Sequence, residues 1–219
     1  MSILLHPVAL IQIFGLAGTI IALAGVILSA SVYTGTAGER YSPLNHFISE
    51  LGEQGVSRLA WVFNAALILS GALLVPVAVL LGLQIPGLLS KLAMAAGIGA
   101  ALSLSLVGVY PMNNLTPHVR AARTFFRLGL AMAVLFTLAI ALQSAQAPAV
   151  PRGLAWAGVP AILAYSAFLV YGGVQFRTSE SGGLEVTFTH RPRVWTLAVL
   201  EWLIFLTTVL WFAAVALGL

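Results

Sequence analysis

The residues with the greatest chemical capability in this chain lie in its first and third polar loops. Glu50 and His118 supply a carboxylate and an imidazole, two groups that commonly act in general acid–base catalysis. Arg120, Arg123 and Arg127 follow at steps of three and four residues, so on a helix they form one stripe. Guanidinium groups in such a row suit a phosphate or a carboxylate. The sequence therefore predicts a site for an anionic group, with Glu50 and His118 as acid–base candidates.

Uncharged polar residues accompany these groups, and we expect them to line the same site: Asn45, Ser49, Asn64, Asn113 and Asn114. Glu201 lies within the last apolar segment, where a carboxylate without a partner is costly. We expect Glu201 to pair with Arg127 and to orient the arginine stripe. The pair would be either purely structural or part of a functional cavity.

Metal and cofactor chemistry has little support in the sequence. Three histidines could join Glu50 around a zinc ion, but they show no HxxxH or HExxH spacing. The chain has no Cys, which excludes thiolate ligands. We therefore predict no cofactor and no metal site, and the weak metal candidates are His46, His118 and His190.

Composition identifies the environment in which these residues act. Hydrophobic residues make up 60% of the chain and charged residues 7%, whereas soluble domains carry about 25% charged residues. Six segments are long and apolar enough to cross a bilayer as helices: 8–33, 57–83, 88–110, 121–143, 151–176 and 194–218. The prediction is an all-α, polytopic membrane protein in which one domain, residues 1–219, forms a six-transmembrane-helix bundle.

The first loop has the pattern of a short amphipathic helix. Ser42 fits the N-cap, Pro43 the first helical position and Gly52 the stop. Such a helix lies flat at the membrane surface or folds over the bundle with its polar side inward. The fifth loop, residues 177–193, contains a Gly-Gly turn that suggests a small hairpin or lid, or else a disordered loop.

Small residues recur at helical spacing in the first and third segments. They form two ridges: Gly18, Ala22, Gly25 and Ser29, and Ala93, Gly97, Ala101 and Ser105. Ridges of this kind let helices approach closely. We expect tight packing within the chain, with a dimer contact as the alternative.

The basic residues are distributed unevenly between the loops. The second and fourth loops hold Lys91 and Arg152, and the other basic residues are near the odd-numbered loops: Arg40, Arg58, Arg120, Arg123, Arg127, Arg177, Arg191 and Arg193. Positive loops usually remain in the cytoplasm. We therefore predict a multi-pass protein of the cell membrane with cytoplasmic odd-numbered loops and both termini outside.

The order of several motifs resembles a known family. They are Tyr41-Ser42-Pro43-Leu44-Asn45, Ile48-Ser49-Glu50-Leu51-Gly52, Phe63-Asn64, Gly108-Val109-Tyr110-Pro111, Pro117-His118, Ala121-Ala122 and Phe125-Phe126. Together they resemble the prokaryotic membrane family labelled domain of unknown function 998, which usually has Asp where Glu50 stands. The last two spans resemble that family in hydropathy alone. A more distant similarity is to the eukaryotic Frag/DRAM/Sfk family, some of whose members are linked to lipid-anchor remodelling.

These observations favour a one-sided polar pocket that binds a lipid headgroup or a small anion, with lipid modification as an extension. The alternatives are a non-catalytic accessory or assembly subunit of a larger membrane complex and a small transporter. The expected partners are membrane lipids or other membrane subunits. Nucleic acid is not expected, because exposed aromatics do not alternate with the basic residues.

Overall fold

Six long helices build the computed structural model, which describes residues 6–178 and 191–219. They are α1 (Pro7–Ser31), α2 (Ala60–Gln84), α3 (Leu88–Val109), α4 (Leu115–Ala141), α5 (Ala155–Thr178) and α6 (Thr196–Gly218). The shortest, α3, has 22 residues and extends about 33 Å, enough to cross a hydrocarbon core of about 30 Å. Six helices are long and apolar enough to span a membrane, and the described residues contain no strand. The predicted fold class is confirmed.

Helix α4 begins six residues earlier than the apolar pattern predicts, at Leu115 rather than at residue 121. Its start contains Pro117, which is tolerated there because the first turn of a helix has no backbone acceptor for its N–H groups. The carbonyl of Asn114 accepts the first helical bond, from the N–H of His118, at 3.1 Å. His118 and Arg120 therefore belong to a membrane helix and not to a loop.

The helices form a closed ring in chain order. Each packs against the next along the sequence, and α6 returns to pack against α1. Their backbones satisfy their own hydrogen bonds, as lipid requires, and α2 and α5 continue through Pro76 and Pro160. A ring of this kind encloses a central space that side chains from all six helices can line.

Small residues make the close approaches in this ring. A methyl group added to Gly25 of α1 would collide with Ala66 of α2, and one added to Gly97 of α3 would press on Ala78 of α2. Ser29 donates a hydrogen bond to the carbonyl of Leu59 across the same α1–α2 seam, at 3.1 Å. The small-residue ridges therefore serve packing within the chain.

The first loop folds over one end of the ring, and we call residues 41–54 the cap. The predicted short helix is present but shorter than its pattern indicates: the cap contains a turn at 43–45 and a 3-10 helix, Ile48–Gly52. The 3-10 helix begins because the Glu50 carboxylate accepts the N–H of Phe47 at 2.7 Å, a local bond that competes with a longer helix. Ile48, Glu50 and Leu51 are buried, so the cap lies against the bundle with polar groups turned inward.

Candidate functional site

A buried ion pair anchors the cap. The Arg191 guanidinium binds both carboxylate oxygens of Glu50, at 3.0 Å and 2.6 Å, in the two-pronged geometry that favours arginine. The Glu50 side chain is 1% exposed and that of Arg191 18%. Burial by itself would lower the pKa of Arg191, but the hydrogen bonds and charge of Glu50 raise it above its usual value. The pair ties the cap to the chain that leads into α6.

Further bonds hold the cap to the same part of the chain. They are Trp195 N to Leu44 O at 2.7 Å, Asn45 Nδ2 to Pro192 O at 3.3 Å, and Trp202 Nε1 to Tyr41 Oη at 3.1 Å. The rings of Phe47 and Trp195 also meet edge to face, with centroids 4.6 Å apart. The cap and the start of α6 therefore form one packed unit.

The expected pair between Glu201 and Arg127 is not formed. Glu201 Oε2 instead accepts the N–H of Ile48 at 2.8 Å, whereas Arg127 is exposed together with Arg120 and Arg123. The reason is helical geometry: at about 100° per residue, the arginines lie roughly half a turn around α4 from His118. Because His118 is buried, the arginine stripe faces away from the centre of the ring.

His118 is 5% exposed and has a defined tautomer. Its Nδ1 lies 2.7 Å from the carbonyl oxygen of Tyr110, which can only accept, so Nδ1 carries the proton. Burial of the ring favours its uncharged form, which keeps a lone pair on Nε2, and no described residue donates a hydrogen bond to that atom. Of the two acid–base candidates, His118 keeps an available basic atom, whereas Glu50 is bound by Arg191.

His46 is also buried, but it belongs to the cap. Its Nδ1 lies 2.8 Å from Asn45 Oδ1, and its Nε2 lies 3.9 Å from Glu39 Oε1. Burial lowers the pKa of His46, while the charge of Glu50 acts in the opposite direction. His190 lies outside the described residues, and within those residues no three His, Asp or Glu side chains form a metal-binding group.

Most of the predicted asparagines bind backbone groups and hold the cap in place. Asn64 Nδ2 donates to the carbonyl of Gly52 at 2.9 Å. Asn113 exchanges two hydrogen bonds with the backbone of Gln54, at 2.7 and 2.8 Å, which joins the third loop to the cap. Asn114 is exposed at the N-cap of α4 without a side-chain capping bond. Asn45, Asn64 and Asn113 therefore hold the cap, and none of the four asparagines lines the cavity.

A cavity of about 110 Å³ lies inside the ring beneath the cap. All six helices and the cap contribute to its walls, which are largely apolar. Three of the predicted site residues border its cap-side end: Ser49, His118 and Glu201. The structure therefore brings together a hydroxyl, an imidazole and a carboxylate, and it places Glu50, the arginine stripe and the asparagines elsewhere.

Sequence reasoning missed Arg191 as the partner of Glu50. A carboxylate that the cap buries needs a cation beside it, so an arginine partner for Glu50 could have been expected. Several arginines lie near the odd-numbered loops, and the sequence does not single out Arg191 among them. It also missed the deeper polar lining of the cavity, Thr19, Ser70, Tyr165 and Thr208, whose hydroxyls all make hydrogen bonds within the bundle.

The comparisons with known proteins identify the family. The family model described as "Protein of unknown function (DUF998)" matches residues 16–218. This chain belongs to that family. The match includes the last two spans, so the family covers the whole ring and not only the motifs between Tyr41 and Phe126. Neither the curated proteins nor the solved structures compared with this chain give a match.

Proposed function

We propose that this multi-pass membrane protein binds the polar end of a membrane lipid in the cavity beneath the cap. One observation carries the proposal: Ser49, His118 and Glu201 border one end of a cavity whose other walls are largely apolar. A site with a few convergent polar groups on apolar walls is typical of small-molecule binding. The rest of the lipid would remain in the bilayer around the ring.

The position of the arginines favours a lipid over a small free anion. None of Arg120, Arg123 and Arg127 lines the cavity, and all three are exposed on α4. We infer that Arg120 and Arg123, which lie nearer the start of α4 than Arg127, contact anionic lipid head groups from the outer surface of the ring. Basic side chains near a membrane surface gain about 1 kcal/mol each from anionic lipids.

An accessory subunit without a ligand is less well supported. The accessory-subunit hypothesis predicts that ion pairs close the polar layer, and the Glu50–Arg191 pair does close the outer part of the cap. Among the described residues, however, Glu201 and His118 are not paired with each other or with an arginine, and both border the cavity. This arrangement favours a ligand-binding role.

Native mass spectrometry of the protein extracted in mild detergent tests the proposal. Ala122 lines the cavity one helical turn after His118, and Ala122→Leu adds volume there, whereas Ala72 is exposed on α2. We expect wild type and Ala72→Leu to retain a bound lipid through detergent washing, and a folded Ala122→Leu protein to lose it. Equal lipid retention by the three proteins, or no retained lipid in wild type, would contradict the proposal.

A further inference from the structure

The cap-side end of the cavity is rich in hydrogen-bond acceptors. Glu201 Oε2 takes one backbone N–H, from Ile48, and no described residue donates to its Oε1. His118 offers the Nε2 lone pair because its Nδ1 proton is bound to Tyr110. The Ser49 hydroxyl donates to the sulfur of Met112 at 3.4 Å, so its oxygen lone pairs are the part left for a ligand.

Among the residues that the structure describes, no cationic side chain lines the cavity beside these acceptors. Arg191 is bound to both oxygens of Glu50 and is not among the residues that line the cavity. The three α4 arginines are exposed on the opposite face of their helix. A carboxyl group in apolar surroundings without a cation is either protonated or costly to ionise, and a positively charged ligand group would stabilise its ionised form.

From this arrangement we infer that the polar group bound in the cavity is a primary ammonium, –NH₃⁺, at the end of a lipid head group. The inference rests on the proposed function and names the ligand chemistry of that site. A primary ammonium has three N–H donors and no acceptor, which matches three acceptor groups: Glu201, His118 and Ser49. Its charge also compensates the Glu201 carboxylate.

Other head groups fit the site less well. A phosphate or carboxylate group would bring its own oxygen lone pairs and negative charge against the acceptors and the carboxylate of the site. A hydroxyl offers one donor and leaves the carboxylate uncompensated. A quaternary ammonium supplies charge but no N–H group. Since the cavity holds about 110 Å³, it takes an ammonium group with a few methylenes and not a whole phospholipid.

Lipids with identical acyl chains test this inference directly. The protein is presented with equimolar phosphatidylethanolamine, phosphatidylcholine and phosphatidylglycerol, and the bound species are counted by native mass spectrometry. We expect phosphatidylethanolamine to be favoured about tenfold, the ratio that one charge-assisted hydrogen bond can supply. Preference for phosphatidylcholine or phosphatidylglycerol would overturn the inference.

Two conservative variants locate the preference in the cavity. His118→Asn keeps a donor for the Tyr110 carbonyl but removes Nε2, and Glu201→Gln keeps an acceptor for Ile48 but removes the charge. Each should reduce the preference for phosphatidylethanolamine, and an unchanged preference in both would contradict the assignment. If a variant does not fold, the lipid preference of the wild-type protein still tests the inference. Equal binding of the three lipids refutes the ammonium group alone, whereas the absence of any bound lipid refutes the proposed function as well.

Discussion

Glu50 and Arg191 form a buried, two-pronged ion pair between the cap and the chain that leads into α6. Glu50→Gln removes the negative charge and leaves a mostly buried guanidinium with weaker acceptors. Breaking a buried pair in this way typically costs about 3 kcal/mol. We therefore expect a clearly lower melting temperature in detergent. Glu53→Gln is the matched control because Glu53 lies in the same loop and forms no ion pair with any residue that the structure describes, and this variant should melt close to wild type.

His46 gives the cap a predictable response to acid. Because burial lowers its pKa in the folded protein below the usual 6.5, the unfolded chain binds a proton more readily as the pH falls. The charged groups around it are Glu39, Glu50 and Arg191. The stability that neutral His46 contributes is complete above pH 6.5 and is lost progressively as the pH falls through the folded pKa.

The measurement is the melting temperature as a function of pH for wild type and His46→Gln. We expect wild type to lose stability below pH 6.5 more steeply than the variant, which has no group to protonate at this position. An acid-induced decrease of the same size in both proteins would contradict this account of His46.

At the scale of helices, Gly25 tests the close packing of α1 on α2. Gly25→Ala places a methyl group against Ala66, and overpacking of this kind typically costs roughly 1–3 kcal/mol. Gly173→Ala is the matched control because a methyl group there meets no neighbour within 4 Å. We expect thermal unfolding to show a loss of stability for Gly25→Ala alone, and equal behaviour of the two variants would contradict the packing.

Hydropathy was sufficient to predict the six helices because a bilayer forces each apolar segment to satisfy its own backbone bonds. It did not predict the start of α4, since polar residues and Pro117 conceal the first turns of that helix. The arginine periodicity correctly indicated one stripe on one helix. The direction in which the arginine stripe faces depends on which side of α4 packs into the ring. The sequence of one helix does not contain that information.

The cap was harder to predict for a different reason. Its local pattern fits an amphipathic helix, but the bonds that decide its conformation come from residues far along the chain. Arg191 and Glu201 bind the cap from positions 141 and 153 residues after Glu50 and Ile48. Ser49, His118 and Glu201 were predicted as site residues. That they border the same cavity follows from the closed ring, which the sequence did not predict.

The ring as a whole must have one orientation in the membrane, and we propose that its odd-numbered loops are cytoplasmic. The chain has no Cys, so single cysteines can be introduced at exposed positions without background. In intact cells, a membrane-impermeant maleimide should label Ser144→Cys in the fourth loop and should not label Asn114→Cys in the third. The reverse labelling pattern would invert the proposed orientation.

The most direct test of the central claim is a cryo-EM map of the protein in nanodiscs made with phosphatidylethanolamine. We predict continuous density that enters the ring beneath the cap and ends at hydrogen-bond distance, about 3 Å, from Glu201 and His118. A cavity occupied by separate water peaks alone, or closed by side chains from α4 and α6, would contradict a lipid-binding role.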